Sequence, residues 1–366
     1  MDFRPTDQQR MLAAVARDFL DKRWPLAVAQ DVARDGRGLP NDVWRELAAL
    51  GWAGLRVPGD LGGSEASLLD VVLLAEEMGR AAFPARYVTS AVVATAIIAA
   101  GTSAQRQRVL PAMSAGDRFA TLALAEPDGS GPDGIALTAE VGRTLDGVKR
   151  FVLDADAADH VIVAARGGGG VTLVLVDARH PGVGVSSTTT MAGDRLFEVT
   201  FAGVPVRADD VIGPAGGGRA ILDEALAHGA VARAAEIVGT AQRILDLTVE
   251  HAKVRVQSGR PIGAFQAIQH ACADLLRDVE TARGLVYHAA WRVDAGRDAA
   301  TAIAMASAYA GTRGLAVARR AHQIFGAMGY SAEHPLHLLH KRIHAASVES
   351  DRAAHLDTIA RAIGLA

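Results

Sequence analysis

The sequence predicts a mainly α-helical protein with a β domain in the middle of the chain. Residues 1–117 show successive helical patterns separated by Pro and Gly, residues 118–214 contain short β-branched runs between turn residues, and residues 215–366 are helical again. A chain of 366 residues can bury several hydrophobic cores. The order helix, strand, helix therefore predicts three domains with these boundaries.

The N-terminal segment begins with a helix-start signal. Thr6 and Gln9 form a capping-box pattern ahead of the apolar run at residues 11–15. Pro and Gly residues then separate four further predicted helices: Asn41–Leu50, Ser67–Ala82, Thr89–Ala100 and Ser103–Met113.

The central segment predicts a compact antiparallel β unit. Its short apolar or β-branched runs are Phe119–Leu124, Lys149–Leu153, His160–Ala165, Val171–Asp177 and Leu196–Phe201. Four glycines, residues 167–170, lie between two of these runs. No Gly-Lys-Ser/Thr follows them, so a hairpin loop is favoured over a phosphate-binding loop.

The predicted helix at residues 233–256 carries a charge at the end of an apolar face. Six residues recur at spacings of three or four and share that face: Ile237, Ala241, Ile244, Thr248, Ala252 and Arg255. A buried guanidinium is costly unless an anion pairs with it. Arg255 therefore either binds an anion inside the protein or follows the end of the helix and reaches water.

Composition narrows the functional classes. The net charge is −3, with 38 basic and 41 acidic residues, which argues against nucleic-acid binding. Cys272 is the single cysteine, so an intramolecular disulfide is excluded. The longest apolar run, residues 91–100, is too short to span a membrane, and the N-terminus lacks the apolar core of a secretory signal. We expect a cytoplasmic protein.

Four stretches, in the correct order, resemble motifs of the acyl-CoA dehydrogenases. The segment from Arg255 to Gln266 resembles Arg-x-x-Phe-Gly-x-Pro-Ile-x-x-Phe-Gln of that family. The other three are residues 123–130, 147–153 and 323–330. The resemblance covers the chain from end to end. It implies an N-terminal helical domain, a central antiparallel β domain, a C-terminal four-helix bundle and an FAD cofactor.

The resemblance also implies which residues bind FAD. In the family the first Arg of the long motif, here Arg255, binds the pyrophosphate, which would explain an inward charge through bidentate hydrogen bonds. Ser258 stands where the family usually has Phe. The remaining positions implied to bind FAD are Gln257, Gln266, Leu124, Glu126, Ser130, Phe151 and Leu153, with Gln323, Gly326 and Ala327 reaching it across a subunit interface.

The family's reaction removes a proton from Cα of an acyl-CoA thioester and transfers a hydride from Cβ to flavin N5, which leaves a 2,3-enoyl thioester. The base is a carboxylate found at one of two positions in the family. The first corresponds to Ser350, with Glu349 one residue away, and the second corresponds to Gly229, followed by Ala230. Glu349 is therefore the candidate base, although it could also be an ordinary surface carboxylate.

The leading hypothesis is an FAD-dependent acyl-CoA dehydrogenase with Glu349 as base and electron-transfer flavoprotein, or a similar protein, as electron acceptor. The alternative is a non-catalytic partner subunit that supplies part of the FAD site in a mixed tetramer, as in some bacterial relatives. A homotetramer, acyl-carrier-protein substrates and flavin oxygenation also stay open. Steroid-derived acyl groups are among the substrates of the bacterial branches that residues 333–342 resemble.

Four histidines near the C-terminus lie along one predicted helical face. They are His334, His337, His340 and His344. With Glu333 they could in principle bind zinc. Leucines between them favour packing or hydrogen bonding instead, so no metal site is predicted.

Overall fold

The computed structural model describes residues 4–349 and 351–365. The described helices are α1 (Asp7–Arg23), α2 (Leu26–Asp35), α3 (Asn41–Ala49), α4 (Leu68–Arg80), α5 (Thr95–Ala99), α6 (Ser103–Ser114), α7 (Gly218–Val254), α8 (Gln266–Asp294), α9 (Ala300–Phe325), α10 (Leu336–Glu349) and α11 (Arg352–Ala362). A π-helix, Tyr87–Ala94, runs directly into α5. The described strands are β1 (Ala120–Ala123), β2 (Thr144–Leu153), β3 (His160–Gly167), β4 (Gly170–Asp177), β5 (Val183–Thr188), β6 (Leu196–Pro205), β7 (Val211–Ile212), β8 (Val256–Gln257) and β9 (Arg260–Pro261).

Residue contacts divide the chain into two compact units. The first unit contains the residues up to 35, residues 67–83 and the residues from 230 onward. The second unit contains residues 36–66 and 84–229. The three-domain division at residues 117/118 and 214/215 stays a prediction.

The first helix starts where the capping pattern predicts. The Gln9 N–H donates to Thr6 Oγ1 over 3.2 Å, and the Thr6 N–H donates to Gln9 Oε1 over 2.9 Å. These two bonds satisfy backbone donors that the first turn of a helix leaves free. Ser67 and Asp70 form the same arrangement at the start of α4.

In the first unit, α4 and α7 approach closely because each has glycine at the contact. A Cβ added at Gly239 would lie 1.7 Å from the Glu76 carbonyl oxygen, and one added at Gly79 would lie 2.0 Å from the Glu236 carbonyl oxygen. No larger residue fits at either position without moving a helix backbone. The Thr240 hydroxyl donates to the Gly79 carbonyl over 2.9 Å and fixes the contact.

The second unit contains two sheets that face each other. One sheet has the order β1-β3-β4-β7 and the other has the order β2-β6-β5. Buried side chains from both sheets form a shared core that includes Leu145, Val163, Val174, Val199 and Phe201. The opposite face of the β3–β4 pair is also buried, because it packs on residues of α5, α6 and the start of α7. Burial on both faces explains why β3 and β4 are almost continuously apolar.

Two features of the sheets differ from the sequence prediction. The β domain is not wholly antiparallel, because β1 pairs with β3 in parallel. The strand β5 was not predicted, since it is exposed along most of its length and has no alternating apolar pattern. The predicted hairpin between β3 and β4 is confirmed: Gly168 and Gly169 have φ of +59° and +85°, and a two-residue turn with two positive φ values favours glycine.

In the chain from residue 4 to 349 and from 351 to 365, none of the helices combines the length and the apolar character that crossing a membrane requires.

Candidate active site

The loop after β1 is held in place by a buried ion pair in the second unit. The Lys149 ammonium is fully buried and donates to Glu126 Oε1 over 2.6 Å and to the Leu124 carbonyl over 2.9 Å. The Glu126 carboxylate also accepts from the Leu137 N–H over 3.0 Å and the Ala136 N–H over 3.1 Å. Burial raises the pKa of Glu126, but these hydrogen bonds outweigh it and the pKa is lowered. Glu126 is therefore an ionised anchor for the loop.

Phe151 stands on a bulge in β2. The register of β2 against β6 shifts between Lys149 and Val152, and Phe151 has φ of +56°. For a non-glycine residue this left-handed conformation costs about 1–2 kcal/mol. The ring is nevertheless 59% exposed, so no core packing in the described chain offsets that cost. An exposed aromatic side chain on a strained backbone is typical of a binding surface.

The other residues implied to bind FAD in the second unit differ in exposure. Ser130 is exposed and Leu124 is half-buried. The Leu153 side chain is buried, and its carbonyl accepts from the Thr121 hydroxyl over 2.8 Å. Because its side chain belongs to the core, Leu153 supports the bulge beside Phe151.

In the first unit, the apolar face of α7 is buried from Ile237 to Ala252, as predicted. The prediction that Arg255 continues this buried face is wrong. The helix ends at Val254, and Arg255 is exposed at the start of the hairpin formed by β8 and β9. The chain cannot continue as a helix here, because Ser258 and Gly259 form the turn between β8 and β9 with positive φ values of +49° and +77°.

The side chain of Arg255 has no carboxylate partner among residues 4–349 and 351–365. Its backbone is fixed, since its N–H donates to the His251 carbonyl over 2.9 Å and its carbonyl accepts from the Ile262 N–H over 2.8 Å. Gln257 and Gln266 are exposed on the same motif. Arg255 is thus an available cation on an ordered backbone.

The end of α9 presents a third set of candidate residues. Gln323, Gly326 and Ala327 are exposed. Gly326 ends the helix with φ of +63°, a conformation that favours glycine. Close by, the ring of Tyr330 stacks on the buried ring of His322 with centroids 4.6 Å apart. The segment therefore offers exposed backbone and a glutamine side chain to a ligand or a neighbouring subunit.

Glu349 lies at the end of α10, also in the first unit. Its carboxylate accepts from Arg233, and Arg233 donates in addition to Glu236 over 2.6 Å. The Glu349 side chain is 37% exposed, whereas that of Glu236 is 8% exposed. Glu349 is thus a partly exposed carboxylate that forms an ion pair with Arg233.

The histidines of α10 form contacts within the first unit. His337 Nδ1 lies 2.7 Å from the His334 carbonyl, and the His340 ring lies 5.0 Å from that of His322. Burial, followed by the positive charges of neighbouring groups, lowers the pKa of His340 to about 4. No group of three or more metal-binding side chains occurs in the described residues. The leucines between the histidines are buried and pack as expected.

Sequence reasoning assigned no role to Lys149 or Arg233. Lys149 is followed directly by Arg150 in the strand, and no local pattern indicates that only the first of the two is buried. Arg233 lies three residues before Glu236, a spacing that places both side chains on one face of a helix. The contact of Arg233 with Glu349 joins residues 116 positions apart, and no local pattern indicates it.

Comparison with known proteins assigns the chain to a family. Residues 6–117 match the family described as "Acyl-CoA dehydrogenase, N-terminal domain", and residues 216–363 match "Acyl-CoA dehydrogenase, C-terminal domain". A 3-(aryl)acrylate reductase from Clostridium sporogenes is 30% identical over 358 residues, covering 94% of each chain. This chain belongs to the acyl-CoA dehydrogenase family.

Solved structures agree with that family assignment. Butyryl-CoA dehydrogenase from Megasphaera elsdenii is similar with a TM-score of 0.92 and 29% identity, over 99% of this chain and 100% of the other. The ChsE4–ChsE5 complex from Mycobacterium tuberculosis is similar with a TM-score of 0.89 and 27% identity, over the whole of both chains. The expected acyl-CoA dehydrogenase fold is therefore confirmed.

The chain departs from the acyl-CoA dehydrogenase pattern at both base positions. Gly229 and Ala230 stand where the resemblance implies the Glu-Arg pair of one group of family members. At the other position, Ser350 lies outside the described residues, and its neighbour Glu349 is paired with Arg233. Glu349 and Asp351 are the two carboxylates that flank this position in the sequence.

Proposed function

We propose that the protein is an FAD-dependent acyl-CoA dehydrogenase that converts an acyl-CoA thioester to the 2,3-enoyl-CoA. Family membership supports the reaction class. The observation that most directly supports the cofactor assignment is the exposed ring of Phe151 on its strained bulge. The resemblance to the family motif implies that this ring lies against the flavin. An aromatic side chain that gains no burial within the chain can recover stacking energy from a bound ring system.

The residues that the resemblance assigns to FAD are suited to it in charge and hydrogen-bonding capacity. Arg255 is an exposed guanidinium without a carboxylate partner in the described part of the chain, which suits a pyrophosphate. Gln257, Gln266 and Gln323 add exposed amide groups, and Gly326 and Ala327 add exposed backbone. Glu126 holds the loop that includes Leu124 and Ser130, while Leu153 supports the bulge.

When bound, FAD supplies the hydride acceptor for the acyl thioester. The chain must supply a base for the Cα proton, and Glu349 is its candidate. The Glu349 carboxylate is paired with Arg233, so substrate binding must weaken that ion pair before the carboxylate can take the proton. We assign re-oxidation to electron-transfer flavoprotein or a similar acceptor.

The cofactor assignment is tested by purifying the protein and measuring its absorption spectrum and FAD content. We expect a yellow protein with about one FAD per chain, or uptake of added FAD when the chain is produced with its partner subunit. Protein that stays colourless under both conditions contradicts the proposal.

The base assignment is tested by anaerobic reduction of the flavin with acyl-CoA substrates. Glu349→Gln removes the proton acceptor but keeps a hydrogen-bonding side chain, so we expect the reduction rate to fall at least about a hundredfold. Glu250→Gln is the matched control, because Glu250 is an exposed carboxylate paired with Lys253 over 2.6 Å. Equal rates in the two variants would place the base elsewhere.

A second candidate is a non-catalytic subunit in a mixed tetramer. The observation that favours it is the pairing of Glu349 with Arg233, together with the missing carboxylate at residues 229–230. Similarity to a chain of the ChsE4–ChsE5 complex is consistent with such an assembly. Native mass spectrometry distinguishes the cases: one chain type that reduces flavin with substrate supports the enzyme, and obligatory assembly with a related chain that carries the base supports the partner subunit.

A further inference from the structure

The second unit contains a polar cavity of about 200 Å³ that the proposed reaction does not use. None of the residues assigned to FAD or proton transfer lines it. The charged residues that line it are four arginines and two aspartates, namely Arg45, Arg86, Arg118, Arg179, Asp117 and Asp159. Cationic side chains therefore outnumber anionic ones around this cavity.

Three of these arginines face carboxylates. Arg179 lies 2.7 Å from Asp159, Arg45 lies 4.0 Å from Asp117, and Arg86 lies 2.9 Å from Asp154 behind the cavity wall. Arg118 differs from them. The one contact found for its guanidinium in the described part of the chain joins Nη1 to His160 Nε2 over 3.4 Å. The cavity thus has a cation that forms no ion pair with a carboxylate of residues 4–349 or 351–365.

Trp44 adds a buried donor to the same wall. The residue is 4% exposed, and its indole Nε1 has no hydrogen-bond partner among the described residues. A Cβ added at Gly116, which also lines the cavity, would lie 3.6 Å from Trp44 Cδ1, the ring atom bonded to Nε1. The indole edge that carries Nε1 therefore lies near Gly116, but Nε1 itself is shielded from solvent, so the ring must shift before it can donate into the cavity. A buried donor without an acceptor is unfavourable, and an acceptor in the cavity would remove that cost.

Arg86 gives the wall a rigid positive group. It is 3% exposed, its Nε donates to Asp154, and its guanidinium lies 4.9 Å from the centre of the Phe119 ring. Because both its ion pair and its ring contact fix it, Arg86 does not need to reorganise when a ligand binds. An oxyanion is recognised by positioned hydrogen-bond donors and by a cation that is not already paired, and Arg86 and Arg118 are groups of these two kinds.

We propose that this cavity binds a small oxyanion, such as a phosphate monoester or a short dicarboxylate. The volume accommodates such a group but is below the range of about 300–1,000 Å³ usual for larger ligands. The Arg118 guanidinium donates to the anion, the Trp44 indole N–H donates after the ring shifts, and Arg86, which is held by Asp154, forms a rigid part of the wall. Free phosphate and the nucleotide phosphates of coenzyme A share this chemistry, so the test must separate them.

The experiment is isothermal titration calorimetry of the full-length protein with inorganic phosphate, with malonate and with coenzyme A, in a buffer free of other oxyanions. Arg118→Gln should weaken binding of the preferred anion by about tenfold or more, because it removes a charge-assisted contact. Trp44→Phe should weaken it by a smaller factor. Arg207→Gln is the control, since Arg207 is exposed in the same unit and does not line the cavity.

Circular dichroism melting of each variant establishes that it is folded. Binding of phosphate or malonate that is lost in Arg118→Gln and kept in Arg207→Gln supports a site for a free metabolite. The same pattern with coenzyme A alone supports the site and identifies the nucleotide phosphates as the source. No binding of any of the three, or equal weakening in both arginine variants, overturns the proposal.

Discussion

Arg233 links the buried carboxylate of Glu236 to the exposed carboxylate of Glu349, so that one guanidinium on α7 holds the end of α10. The contact is part of the fold of the first unit and is at the same time a restraint on the candidate base. Whatever the role of Glu349, its position depends on this arginine.

Arg233→Gln should destabilise the protein by about 3 kcal/mol, because it removes the cation that pairs with the buried carboxylate of Glu236. Arg233→Lys should recover part of the loss. Urea unfolding followed by circular dichroism measures the change. The matched control is Arg320→Gln, an exposed position on α9, and equal stability of the two glutamine variants would show that the bridge does not contribute.

Glu126→Gln should be destabilising, since the ammonium of Lys149 is fully buried and loses its counterion. Breaking one partner of such a pair costs about 3–5 kcal/mol, whereas replacing both can be nearly neutral. The double variant Glu126→Gln/Lys149→Met should therefore be more stable than Glu126→Gln alone in thermal unfolding. If the two changes are simply additive, the two residues are not coupled.

Phe151→Gly should separate backbone strain from flavin binding. Glycine adopts the left-handed conformation freely, which offsets its entropic cost of about 0.5–1 kcal/mol, so the stability without flavin should change little. FAD retention during gel filtration should fall, because the aromatic surface is removed. Phe151→Ala removes the same ring but keeps the strained backbone, and it should be the less stable of the two variants.

Arg255→Ala should weaken FAD retention several-fold with almost no effect on stability. The side chain is exposed, and surface substitutions of this kind usually change stability by less than about 0.5 kcal/mol. Lys253→Ala is the control, because it removes an exposed cation two residues away. Unchanged FAD content in Arg255→Ala, measured from the ratio of absorbance at the flavin and protein bands, would contradict the pyrophosphate assignment.

Stability should depend on pH through His340. Its pKa is lowered to about 4 in the folded protein from the ordinary value of 6.5, mainly by burial and then by His322, His344 and Arg319. Between these values the unfolded chain binds more protons, so the free energy of unfolding should fall as the pH drops from about 6.5 to about 4. His340→Phe should show a smaller fall in urea midpoint than the wild type, and His270→Asn, at an exposed position, should behave as the wild type.

Local sequence patterns predicted much of the fold. The Thr6 capping box begins α1, the glycines at residues 168–169 form the β3–β4 turn, and the apolar face of α7 is buried. These features depend on residues within a few positions of one another. Strand β5 was missed because an exposed strand carries little apolar signal, and the parallel pairing of β1 with β3 joins segments about forty residues apart.

For the candidate site, the sequence by itself determined which motifs are present: the Arg255 segment, the loop before Ser130, the Phe151 strand and the Gln323 segment. The tertiary structure decided how their side chains are used. It places Arg255 in solvent after the end of α7, raises Phe151 on a bulge and pairs Glu349 with Arg233. A motif is defined by residues that are neighbours in the sequence. The exposure and the ion pairs of its side chains depend on which distant segments the packed backbone brings into contact.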